Sequence, residues 1–232
     1  MQYPRFFVSS ATLLAVASGF ALLPQSAHAL QFDISSIPGS EIIFTGGGPG
    51  GTASLSFTAG QNFQIDTSHG GSGDAVGLTG SFSGTWTMGP VTTVNLVPLV
   101  ETAPVSGTGT MSIFDGVDTL TATVAWVEAS SLKTVISVAT LGVTGNVTGV
   151  SYSGSNGDLL EFAAAAGKTA VLAFTFPPPG QSLAELVEPG TKSTSFSGNI
   201  VANTTTVPDT GTTLILLGLG LGSLAAFRTR GQ

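Results

Sequence analysis

His69 is the one histidine outside the N-terminal stretch, where the chain's other histidine, His28, lies. The acids nearest to it are Asp66 and Asp74, so Asp66-x-x-His69 with Asp74 is, on paper, a small metal-ligand set. A histidine beside a carboxylate is also two thirds of a Ser-His-Asp hydrolase. The setting argues against both. Residues 67–77 read TSHGGSGDAVG, a Gly-rich polar loop of the kind that forms solvated turns, and no Gly-x-Ser-x-Gly elbow accompanies the histidine. Asp115 and Asp118 are a second acidic pair, but Asp115 before Gly116 is explained as a turn residue. Calcium wants about 6–8 oxygens, and no repeat or EF-type spacing supplies them. Glu185 and Glu188 share a face of any helix there, a solvated face by default. No catalytic residue, metal or cofactor is assigned. The chain has no cysteine, which excludes thiol chemistry and disulfides. Trp86 and Trp126 could stack on sugar rings if exposed. Their neighbours argue for the core: Trp126 sits between Ala125 and Val127, and Trp86 alternates in phase with Phe82.

The strongest chemical signal is a segment that chemistry would be done to. Val207-Pro208-Asp209-Thr210-Gly211 is followed by an uncharged apolar run from Leu214 to Phe227 and then by Arg228 and Arg230. A helix apolar on all sides belongs in a bilayer, and 214–227 with Thr212 and Thr213 is long enough for a thin span. The arginines stop translocation and stay on the cytoplasmic side. Pro208 holds the pentad extended, and Asp209 and Thr210 offer recognition groups.

On pentad, span and arginines together, this end resembles a PEP-CTERM-type sorting tail of the VPDSG variety, with Thr210 where Ser is usual. The resemblance implies a membrane-embedded exosortase as processing partner. It also implies delivery to the cell surface or matrix of a bacterium that makes exopolysaccharide, itself a candidate partner. VPDTG also resembles the sortase pattern LPxTG, with Val207 for Leu, which would imply attachment to the wall through Thr210. An unprocessed single-pass anchor is the plain alternative.

At the other end, residues 1–29 read as a secretory signal peptide: Arg5, an apolar stretch, and Ala27-His28-Ala29 as the cleavage site, so the mature chain begins at Leu30. The translocon and signal peptidase are the implied partners. What remains is an ectodomain at 30–202, a short linker at 203–206 and the sorting signal at 207–232. The segment between signal and tail holds three lysines against twelve acidic residues, which excludes a basic nucleic-acid footprint.

The elements that must carry this domain are strands. Residues 31–34, 53–57 and 62–66 alternate apolar with polar, 78–88 and 91–97 flank Gly89-Pro90, and 105–114 with 117–127 form a hairpin about Asp115-Gly116. The rhythm continues at 132–140, 143–153, 170–176 and 194–202, with short helices at 158–166 and 182–187. An all-β sandwich or jelly roll is the expected class. The function expected is a structural or interaction role without catalysis. A carbohydrate-binding module with exposed Trp86 or Trp126 is the second reading, and a hydrolase with His69 or paired acids in a cleft the third.

Overall fold

The computed structural model describes residues 28–94, 99–133, 140–177 and 180–204. The sorting pentad Val207–Gly211, the apolar run 214–227, Arg228, Arg230 and Ala27 lie outside them.

Among the described residues fourteen strands form a single hydrogen-bonded system. They are β1 (His28–Ser36), β2 (Ile42–Gly48), β3 (Thr52–Phe57), β4 (Phe63–His69), β5 (Thr79–Ser83), β6 (Thr85–Met88) and β7 (Thr92–Val94). The rest are β8 (Leu99–Ser106), β9 (Gly109–Phe114), β10 (Thr119–Lys133), β11 (Thr140–Ser151), β12 (Gly167–Phe174), β13 (Gly190–Thr194) and β14 (Phe196–Thr204). Helix α1 (Gly157–Ala164) joins β11 to β12, and the single turn α2 (Leu183–Leu186) lies between β12 and β13.

Eight strands close on themselves in the order β1-β4-β5-β9-β10-β11-β12-β14, every pairing antiparallel, so the expected sandwich is corrected to a barrel. The pair β10–β11 runs from Thr121↔Ser151 to Leu132↔Thr140 and is broken by two bulges. Bulges add the twist and bend that closure needs. Alternating residues demand one buried face, but that face can be covered by a second sheet or by the far wall of the same sheet. Only long-range pairing decides.

The length of β10 creates a branch. Its first half pairs β9, while Glu128 to Lys133 pairs β8, and from β8 a second sheet runs on as β6-β3-β2-β13. The strand expected over 78–88 therefore divides at Gly84, with β5 in the barrel and β6 in the second sheet. That sheet covers one barrel end: Phe44 packs on Phe174 at 5.2 Å, and Phe57 packs on Phe82 and Phe196 at 5.2 and 5.3 Å. At the other end Phe162 of α1 packs on Phe32 at 5.4 Å. A ring of eight strands is just wide enough for side chains to fill it. Here Phe32, Ile65, Ile113, Val124, Val143, Leu172 and Ile200 do so, each fully buried.

Both tryptophans are buried, at 0 and 1 % exposure, as their alternation required. Glycines make room for them. A Cβ on Gly109 would lie 2.2 Å from the Trp86 ring, and one on Gly145 would lie 2.6 Å from the Trp126 ring, so each indole packs against the bare backbone of a glycine, Gly145 directly opposite Trp126 on β11 and Gly109 on β9.

Candidate functional site

His69 is the last residue of β4, not part of a loop, and its side chain is exposed. The register of β4 on β1 places Thr67 opposite Asp33 and His69 opposite Gln31, with a shift that leaves Asp66 unpaired between Thr67 and Ile65. The resulting cluster stands on the outer barrel wall. His69 Nε2 lies 3.0 Å from Asp33 Oδ2, Thr67 Oγ1 donates to the same oxygen at 2.7 Å, and Gln31 Nε2 donates to Asp33 Oδ1 at 2.6 Å. The bonds from Gln31 and Thr67, with His69 adding to them, hold the Asp33 carboxyl below the ordinary aspartate range. In a nucleophilic triad the carboxylate holds one ring nitrogen and the hydroxyl meets the other. Here Asp33 and Thr67 both meet Nε2, with Thr67 Oγ1 at 3.2 Å, and the hydroxyl's proton is already given to the carboxylate. That geometry ties β1 to β4 and is not the relay of a triad.

The expected grouping of His69 with Asp66 and Asp74 is not what the fold assembles. Asp74 Oδ2 shares the single proton of the Ser72 hydroxyl with Asp158 Oδ1, and the Asp74 backbone carbonyl accepts from Asn156 Nδ2. Among the described residues no group of three His, Asp or Glu side chains is placed to hold a metal ion. Asp115 does what its position before Gly116 predicted: its Oδ1 accepts from the Val117 and Asp118 amides at 2.8 and 2.6 Å. Its other oxygen accepts from the Tyr152 hydroxyl, and that bond, with the two turn amides, lowers the carboxyl's pKa. Burial and the neighbouring carboxylate push the Tyr152 phenol up. Glu185 closes a capping box with Ser182, accepting from the Ser182 amide at 2.6 Å, so its task is to start α2.

Two buried acids were invisible in the sequence. Glu101 accepts at 2.8 Å from both Ser131 Oγ and the Leu183 amide, tying β10 to the start of α2. Asp158, fully buried at the start of α1, accepts from Ser68 Oγ at 2.8 Å, Ser72 N at 2.6 Å, Ser72 Oγ at 2.8 Å, and Gly73 N and Ala75 N at 3.1 Å each. Burial would raise its pKa, but the bonds from Ser68, Ser72 and Ala75 outweigh that and hold it below the usual range. With Asn156 capping α1 by accepting from Leu159 N at 3.1 Å, this carboxylate fastens the β4–β5 loop across the barrel end.

That barrel end is also where the chain enters and leaves. β1 begins and β14 finishes there, side by side, with His28 opposite Thr204 and Leu30 opposite Ala202. Leu30, the expected mature N-terminal residue, is fully buried, and Ala29 of the expected cleavage site pairs with Asn203. β14 takes Asn203 and Thr204 into the sheet, which leaves two residues of the expected linker before the pentad. The barrel thus ends where the tail begins.

Residues 206–230 match the family model described as VPDSG-CTERM motif. The C-terminal tail is a PEP-CTERM-type exosortase sorting tail, which implies an exported protein, held transiently in the membrane, with an exosortase as processing partner. No curated protein and no solved structure matches the chain.

Proposed function

We propose that this chain is an exported bacterial surface or matrix protein in which a non-catalytic β-barrel with a structural or interaction role is carried to its destination by a processed C-terminal tail. The observation that carries the reading is the match of residues 206–230 to a sorting motif directly after the last barrel strand. In this reading the signal peptide is removed after Ala29, and Leu214 to Phe227 holds the substrate in the bilayer. Arg228 and Arg230 stop translocation, and the exosortase acts at Val207–Gly211. A non-catalytic barrel is supported by the use made of its polar side chains. Asp33, Asp115, Asp158, Glu101 and Glu185 each serve a strand pair, a turn or a helix start. The tryptophan-based sugar-binding reading has lost its support, because both indoles are core.

Intact mass of the protein recovered from the surface and medium of its host tests the proposal. The expected species starts near Leu30 and ends within or just before Val207–Gly211. A mass remaining beyond that end identifies an attached group. Recovery only of chains ending at Gln232 would overturn processing.

A further inference from the structure

The barrel end from which β1 and β14 depart carries four of the seven exposed large apolar side chains among the described residues. Val117 at the apex of the β9–β10 turn is 86 % exposed, Val76 in the β4–β5 loop 50 %, Leu160 on α1 44 %, and Phe114 at the end of β9 39 %. Antiparallel register places all four at this one rim, because β4, β9 and β11 finish there and β5, β10 and β12 begin there. The other exposed large apolar residues among those described, Val127, Leu132 and Val171, lie along β10 and β12. Val117 is not exposed through looseness. Asp115 Oδ1 holds the Val117 and Asp118 amides, which fixes the turn with the valine outward.

Seven residues, 205–211, separate the end of β14 from a span that takes in Thr212 and Thr213, a reach of about 24 Å when fully extended. β14 itself spans nine residues, about 30 Å along the strand and about 23 Å of barrel height at a strand tilt of about 40°. A barrel with its opposite end toward the membrane would need the whole tether drawn straight along its wall. With this rim toward the membrane the tether stays slack. Charge narrows the surface further: Asp74, Asp115, Asp118 and Glu161 stand at the rim against Lys168 and His69, the last already paired with Asp33, so the rim suits an uncharged or zwitterionic headgroup layer and not an anionic one.

We propose that, while the tail is inserted, this rim rests on the bilayer with Val117, Val76 and Leu160 in a zwitterionic headgroup layer, so that the barrel presents its opposite end outward. The proposal rests on the tail reading above.

The absence of cysteine allows a clean test. The chain is produced in a host lacking the processing enzyme, so that it still ends at Gln232. A single cysteine is introduced by Val117→Cys, by Leu160→Cys, or by Ala59→Cys in the β3–β4 loop at the opposite end. Each is labelled with an environment-sensitive fluorophore and reconstituted into phosphatidylethanolamine–phosphatidylcholine vesicles containing shallow nitroxide lipid. Flotation reports insertion of the tail, and quenching reports contact by the rim. The expected result is flotation of all three, with the labels at 117 and 160 quenched at least about twofold more than the label at 59. Replacing a third or so of the lipid with phosphatidylglycerol is expected to reduce that difference. Flotation with equal quenching at all three sites would overturn rim contact and leave the tail reading standing. Failure to float would overturn both.

Discussion

Removing the charge of Asp158 tests how the tail-side end of the barrel is held closed. In Asp158→Asn the amide nitrogen must face one of two sets of donors. Facing the Oδ2 side it meets the Gly73 and Ala75 amides, and facing the Oδ1 side it meets the Ser72 amide at 2.6 Å. Serine hydroxyls can turn to accept, but backbone N–H groups cannot. At least one buried amide is therefore stranded, at about 1–3 kcal/mol, and the remaining bonds lose their charge-assisted share of about 1 kcal/mol. Relief from burying a lone carboxylate offsets part of this. The expected net loss is about 1–3 kcal/mol. Urea unfolding of the processed protein, followed by fluorescence of the buried Trp86 and Trp126, measures it, and hydrogen exchange at Ser72, Gly73 and Ala75 locates it.

The pH dependence has a definite sign. The folded carboxyl titrates below its unfolded value of about 3.9, so its contribution is complete above that value and is lost as pH falls through the lower folded one. The gap between the native chain and Asp158→Asn should be constant near neutrality and shrink in acid. Equal stability at neutral pH would refute the reasoning. A gap undiminished below both values would show that shape, not charge, holds the loop.

Two further pairs of substitutions probe the packing. Gly109→Ala is expected to cost more than about 2 kcal/mol by chemical denaturation, because its Cβ would overlap the Trp86 ring and the Ser83 carbonyl. Gly167→Ala, with nothing within 4 Å of the added carbon, should stay within about 0.5 kcal/mol of the native chain. Trp126 Nε1 is buried without a hydrogen-bond partner, whereas Trp86 Nε1 donates to the Val124 carbonyl at 3.4 Å. Trp126→Phe should therefore cost about 1 kcal/mol less than Trp86→Phe in the same assay, since only the second gives up a hydrogen bond. The reverse order would mean that the Trp126 amine has a partner in solution.

What the chain determined by itself is whatever is read locally. A sorting enzyme meets Val207–Gly211 as an extended peptide, and a bilayer meets Leu214–Phe227 as a run of side chains, so neither recognition needs a tertiary neighbour. The Asp115-Gly116 turn is likewise complete within four residues, Gly116 sitting at φ +101° and Asp115 N donating to Asp118 O at 3.0 Å. The tryptophans announced their burial because alternation on one strand tells inside from outside. Helix α1, Gly157–Ala164, lies within two residues of the stretch 158–166 that reads as a short helix. Strand β2 escaped notice because its Gly46-Gly47-Gly48 end reads as loop, yet it pairs with β3 on one side and β13 on the other.

Partners distant in sequence were decided only by the tertiary structure. His69 reads beside Asp66 and Asp74, but β1–β4 register brings it to Asp33, 36 residues away. Asp158 reads as an ordinary first-turn acid, and its donors lie 83 to 90 residues earlier. Barrel or sandwich turned on whether the first strand met the last, β1 against β14, and side-chain alternation is the same in both. Local patterning says which face of a strand is buried. It does not say what lies on the other side of that face, because that is set by hydrogen bonds between strands the sequence keeps far apart.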